Sequence, residues 1–404
     1  MFARPKQSKN RVSDRFSTWS TPSPTSKINT ASTRSPRITT HVTSTANKIK
    51  KTPHPSSPQT TNLSNSPDDR ANNRQELFES LLNHTHYTER EMYETLKQLK
   101  SLILSDGIPD CPRSSNSQTL RCRIWKILLG VYQSSATEYI SYIEKGRSHF
   151  YDKIRNDTFR TLATDKRFLT DVGENKLIRV LNAFVWKHEK KENPSAYNWQ
   201  FTYVQGMNVL AAPFLYALPE VDAFHTFDTF LQYSCPLYVQ PALQGVHCGL
   251  KLLDMCLKIL DLKLYTYLRE KNLSAEIYAF PSVLTFCVCT PPLNEAIRLW
   301  DFLLSFGIHL NILCIVAQLQ FIREEILVSS SPMKLLRTLP DLNARAIITA
   351  TTRLARQLPQ DVYRLLSRHT YDPLVIDEII AQKRDTLPFT QYDQFEAAPR
   401  MCTL

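Results

Sequence analysis

The 404 residues carry 49 Lys and Arg against 38 Asp and Glu, and the surplus sits at one end. Residues 1–74 hold 13 basic and 3 acidic side chains, a net +10, which leaves 36 against 35, or +1, for residues 75–404. A near-neutral body lacks the basic face that a nucleic-acid partner would need, and nine cysteines without a C-x-x-C pair argue for a reducing compartment, against a disulfide framework and against a structural metal.

Residues 1–74 are rich in Ser, Thr, Pro, Asn and basic residues and poor in apolar ones. Such a segment cannot bury enough surface to offset its ordering entropy, so a disordered tail is expected there. Thr21, Ser23, Ser35, Thr52, Ser57 and Ser66 each precede a proline, a pattern that suits proline-directed kinases and that any Ser/Pro-rich stretch also produces. The Arg- and Ser-rich, acid-poor opening is also compatible with a mitochondrial transit peptide, the alternative to a cytoplasmic address.

From Gln75 the pattern becomes helical. Leu77, Phe78, Leu81 and Leu82, then Leu96, Leu99, Leu102 and Ile103, recur at helical spacing and predict a lead-in over residues 75–105. Further helices are predicted at 120–132, 136–149, 174–189, 205–217, 222–233, 248–269, 293–306, 309–328 and 342–357, and a helical extension with a frayed end at 331–404. The run Val283 to Val288 reads as a strand or as buried helix. Phe302 to Ile322 contains no Asp, Glu, Lys or Arg over 21 residues, yet its polar residues and Gly307 favour two buried helices over a membrane span. No G-x-x-x-x-G-K-[ST] loop is present to cradle phosphates.

Three motifs then follow in order. The first joins "DGIPD" (Asp106 to Asp110) to "LRCRIWKILLG" (Leu120 to Gly130), whose Leu120, Ile124, Trp125 and Leu128 make an apolar face closed by glycine. The second is Ile154-x-x-Asp157-x-x-Arg160, where i, i+3 spacing lets Asp157 brace Arg160 while Ile154 anchors the turn; taken alone, the pattern reads first as an ion pair on a solvated helix surface. The third is "YVQGMN" (Tyr203 to Asn208), which sets the polar Gln205 between an aromatic residue and a glycine at the head of an apolar helix.

On these motifs, together with "RLWDFLLSFG" (Arg298 to Gly307), the chain resembles the TBC domain of GTPase-activating proteins for small GTPases over about residues 106–330. The resemblance implies an all-α, two-lobed helical fold. It also implies that Arg160 is an arginine finger and Gln205 a glutamine finger, with Ile154, Asp157, Tyr203 and Gly206 in support, Gly206 leaving room for close approach of the nucleotide. The protein would have no cofactor of its own; GTP and Mg would be bound by the partner GTPase. Two departures stand out: an insertion, "CPRSSNSQT" (Cys111 to Thr119), inside the first motif, and a missing Trp before the W-D segment.

The upstream helix, the "LRCRIWKILLG" motif and the long "ENPSAYNWQFTYVQGMNVLAAPFLYALPEVDAF" segment look like the Bub-type fungal mitotic-exit and septation checkpoint proteins. That likeness implies the catalytic subunit of a two-component activator, working with a scaffold subunit on a Ras-like small GTPase at the spindle pole body. The alternative is a non-catalytic TBC scaffold that binds the GTPase and a partner.

Overall fold

The structure is a computed structural model that describes residues 67–83, 88–110, 118–189 and 199–386. Residues 1–66 of the expected disordered tail, with its Ser/Thr-Pro sites, lie outside the described residues, as does most of the "CPRSSNSQT" insertion, whereas residues 67–74 of that expected tail are helical. Every described element is a helix, and no strand occurs among the described residues.

Helix α1 (Pro67–Leu82) begins ahead of Gln75 and buries Phe78. Helix α2 (Glu89–Asp106) opens on a capping box: Thr88 Oγ1 accepts from the Glu91 N–H at 3.2 Å, and the Thr88 N–H donates to Glu91 Oε2 at 3.0 Å. Helix α3 (Leu120–Leu129) is capped by Thr119 and stopped by Gly130 in the left-handed region at φ 73°. Then come α4 (Ala136–Glu144), α5 (Tyr151–Thr158), α6 (Lys166–Asp171), α7 (Gly173–His188), α8 (Met207–Ala217) and α9 (Glu220–Thr229), which runs into a π turn at Phe230–Ser234. This first group is organised around α7, whose apolar face from Leu177 to Val185 packs against α4, α5, α8 and α9.

A second group is built on α10 (Gln244–Leu260). Four short helices follow it: α11 (Leu262–Glu270), α12 (Ala275–Tyr278), α13 (Phe280–Leu284) and, further on, α16 (Arg323–Val328). Helix α14 (Leu293–Phe306) touches α2 and α3 of the first group as well as α18, so it ties the two groups into one apolar core. After α15 (Asn311–Phe321) and α17 (Pro332–Arg337), helix α18 (Ala344–Gln357) packs on α14 and α15, while α19 (Gln360–Arg368) packs on α10. The last helix, α20 (Val375–Thr386), lies against α19.

Several helix boundaries differ from the periodicity for local reasons. The predicted helix 248–269 is two, because Asp261 leaves helical geometry at φ −153° and its carboxylate accepts from the Leu264 N–H to start α11. The predicted 309–328 breaks at Ile322 into α15 and α16. Helix α8 starts at Met207 rather than 205 because Gly206 sits at φ 103°. Val283 to Val288 is no strand: α13 gives way to a turn in which Phe286 and Cys287 take φ 48° and 63°. Phe302 to Ile322 is two helices separated at Gly307, and among the described residues no helix is long and apolar enough to cross a membrane.

The G-I-P, L-R, W and W-D residues meet at one buried ion pair. Arg121 donates to Asp301 from Nε at 3.0 Å and Nη2 at 3.1 Å, and to Asp110 from Nη1 at 2.8 Å. Trp125 Nε1 donates to the same Asp301 at 2.7 Å, and its ring lies 6.1 Å from that of Trp300. Burial pushes the Asp301 carboxyl up, and the Arg121 guanidinium and the Trp125 indole oppose that. These motif residues therefore hold α3 against α14.

Candidate finger site

Helix α5 carries Ile154 and Asp157 of the second motif, Arg160 lies in the turn just past its C-cap Phe159, and α7 positions the turn before the helix. Asn182 Oδ1 accepts from the Ser148 N–H at 2.9 Å, and its Nδ2 donates to the Gly146 carbonyl at 2.7 Å. Ile154 is fully buried, so the helix is seated by an apolar side chain on its inner face. Asp157, Thr158 and Thr161 are also buried, whereas Phe159 and Arg160 face outward.

Asp157 is the junction of the site. Arg160 Nη2 donates to its Oδ1 at 2.7 Å, and the Tyr203 hydroxyl donates to its Oδ2 at 2.9 Å. The Asp157 side chain is nearly inaccessible while that of Arg160 is 66% exposed, so the carboxylate anchors one edge of a guanidinium whose remainder faces solvent. Tyr203 is buried, and burial together with the Asp157 charge pushes its hydroxyl far above the ordinary tyrosine value. It therefore stays protonated and keeps donating.

Gln205 is exposed on the turn between Tyr203 and α8. The Val204 N–H donates to Met207 Sδ at 3.2 Å, and the Gly206 N–H donates to Asn208 Oδ1 at 3.1 Å, so the turn is closed by its own downstream residues. Gly206 needs its left-handed conformation, and an added Cβ would lie 2.8 Å from Leu284 Cδ2. The space beside Gly206 is thus taken by Leu284 of α13, a packing reason for glycine that the motif alone did not disclose.

Asn208 completes the arrangement. Its Nδ2 donates to the Asp157 carbonyl at 3.3 Å and to Thr161 Oγ1 at 2.8 Å, and Thr161 Oγ1 in turn donates to the Asp157 carbonyl at 3.0 Å. The loop of Arg160 and the loop of Gln205 are therefore joined twice, by side chain through Asp157 and Tyr203, and by backbone through Asn208. Sequence reasoning passed over Asn208 and Thr161. A polar residue at the second position of the otherwise apolar α8 was the available signal for Asn208; Thr161 offered none.

A family model for the Rab-GTPase-TBC domain matches residues 118–327, which takes in every residue of the site. The chain belongs to this family. The TBC domain here is similar to "Cell division control protein 16" of Schizosaccharomyces pombe, 47% identical with 69% of this chain and 89% of that protein covered. It is also similar to "Mitotic check point protein BUB2" of Saccharomyces cerevisiae, 39% identical with 70% of this chain and 94% of that protein covered. Among solved structures, the Ypt/Rab-GAP domain of Gyp1p superposes with a TM-score of 0.57 at 16% identity, covering 72% of this chain and 99% of that one. The Chlamydomonas flagellar RabGAP TBC domain gives 0.54 at 20% identity, covering 70% and 92%. These two likenesses show the all-α TBC fold, and the family match places the chain among GTPase-activating proteins.

Proposed function

We propose that this protein acts in trans on a Ras-like small GTPase, with Arg160 supplying a guanidinium to the γ-phosphate oxygens and Gln205 orienting the attacking water. In phosphoryl transfer, charge spreads over the phosphate oxygens in the transition state, and a fixed external cation stabilises it there. The Arg160 fork has five N–H donors and spends one edge on Asp157, which leaves the others for phosphate. The Gln205 carboxamide can accept from water and donate to an oxygen without ionising. In this reading the GTPase brings GTP and Mg, and this chain brings only the two side chains and the frame that holds them.

The observation that carries the reading is the Asp157 junction, which supports two exposed polar side chains from loops far apart in sequence. Single-turnover GTP hydrolysis across a panel of small GTPases tests it. Arg160→Ala and Gln205→Ala should each lose most of the acceleration, about 10³-fold for the arginine, with the fold intact. Binding without stimulation by the wild-type protein, with every partner present, would instead favour a non-catalytic TBC scaffold.

We further infer the catalytic subunit of a two-component activator that restrains mitotic exit and septation, paired with a scaffold subunit and acting at the spindle pole body. The likeness to proteins named for cell division control and the mitotic check point, across most of their length, supports this. Adding a scaffold subunit to the panel assay and imaging a tagged copy through mitosis test the two parts. Cleavage of the first few dozen residues in cells would favour the mitochondrial alternative.

A further inference from the structure

We infer that Phe159 is a docking residue for the small GTPase, seated on an apolar patch at the rim of the GTPase's nucleotide site; this rests on the finger assignment of Arg160. The Phe159 side chain is 77% exposed although it directly precedes Arg160. The exposure is imposed by the fold. Phe159 is the C-cap of α5, its N–H held by the Arg155 carbonyl at 3.2 Å, and the neighbouring Ile154, Asp157, Thr158 and Thr161 fill the inward face. The Asn208 and Tyr203 bonds fix Asp157 and Thr161 on either side of it. The ring cannot turn into the core without displacing that network.

A single exposed phenylalanine is ordinary on a protein surface. This one is distinguished by its neighbour. A guanidinium stabilises phosphate charge effectively only where water is excluded, so a working finger requires that the surface around Arg160 be covered. Phe159 is joined to Arg160 by one peptide bond, and a stable interface covers about 800 Å² on each partner, so a GTPase that covers the finger also reaches the ring. Buried aromatic anchors carry a disproportionate share of docking energy. The chemistry that fits is apolar, and continuity with the finger places it on the GTPase rather than on another partner.

The test is steady-state activation kinetics on the GTPase most strongly stimulated by the wild-type protein, with GTP-loaded GTPase as the varied substrate. Phe159→Ala should raise KM about 10- to 100-fold and leave kcat within about threefold, the range for losing one aromatic anchor. Phe159→Leu should recover part of the loss. Binding to the same GTPase loaded with a non-hydrolysable GTP analogue should weaken in parallel, with the urea midpoint unchanged. Arg160→Ala should show the opposite split, a kcat loss of about 10³-fold with little change in KM. An unaltered KM in Phe159→Ala beside an inactive Arg160→Ala would overturn the docking role and leave the finger standing. A loss confined to kcat would also overturn it, since the ring would then be supporting the arginine. Full activity in Arg160→Ala would remove the finger assignment itself, and the Phe159 inference with it.

Discussion

Asn208 donates from Nδ2 to the backbone carbonyl of Asp157 at 3.3 Å, across 51 residues of sequence, and so ties the start of α8 to the end of α5. The same side chain accepts from the Gly206 N–H, which makes one carboxamide responsible for both finger loops. Asn208→Ala should leave the Gly206 N–H without its partner and remove the support from Thr161. A buried group left unsatisfied costs about 1–3 kcal/mol, so urea denaturation should show a loss of that order. GTPase activation should fall at least about tenfold, because both fingers lose their register. Asn208→Asp, which can still accept from Gly206 but turns a carboxylate oxygen toward the Asp157 carbonyl, should do no better than Asn208→Ala. Equal activity in all three proteins would show that the loops hold themselves.

Replacing Gly206 probes the turn that presents Gln205. Gly206→Ala forces a side chain into φ 103° and against Leu284. The expected loss is about 1–3 kcal/mol of stability, with a fall in kcat as the glutamine turn shifts. Leu284→Ala in the same protein should relieve only the contact, because the backbone strain remains. Thermal denaturation of the single and double variants separates the two contributions.

The Arg121 and Asp301 pair is structural and lies apart from the fingers in sequence. Arg121→Met strands a buried carboxylate, for which a loss of about 3–5 kcal/mol is expected. Arg121→Met combined with Asp301→Leu should recover part of that loss, since a packed apolar pair carries no desolvation cost. Recovery would leave Trp125 without its acceptor, so it should be incomplete. Urea midpoints of the wild-type, single and double variants check the ordering.

Alkaline pH should unfold the protein steeply. Burial pushes the thiols of Cys122, Cys248, Cys256 and Cys314 up to about 12, and pushes the hydroxyls of Tyr139, Tyr203, Tyr238 and Tyr278 well above the ordinary value. Below their unfolded values these groups are protonated in both states, and their contribution to stability is complete. As pH rises past about 8.5 for cysteine and about 10 for tyrosine, the unfolded chain ionises while the folded one does not. Each such group then costs about 1.4 kcal/mol per pH unit. Chemical denaturation between pH 7 and 11 should show a decline that begins with the thiols and steepens with the phenols. A flat profile would show that these groups are not sealed from solvent.

Legibility followed the range of the interaction. The spacing of Ile154, Asp157 and Arg160 announced an inward apolar anchor and a carboxylate beside a guanidinium, because a helical period relates residues three apart regardless of what surrounds them. Capping chemistry is equally local, as Thr88 with Glu91 shows, although the sequence reading passed over that pair. The break at Asp261 was harder, since a continuous apolar pattern from 248 to 269 concealed a residue whose side chain restarts the helix.

What the amino-acid order determined by itself was therefore the all-helical body, the motif set that places the chain in its family, and the Asp157 to Arg160 contact one turn apart. Tertiary structure alone decided that Tyr203 takes the other oxygen of Asp157, that Asn208 clamps both loops, that Leu284 closes the space beside Gly206, and that Arg121 finds Asp301 across 180 residues. The physical reason is loop closure. Neighbours on a helix are brought together by backbone geometry that the chain carries locally, whereas distant partners meet only once the burial of α7, α8 and α14 has offset the entropy of bringing their segments together.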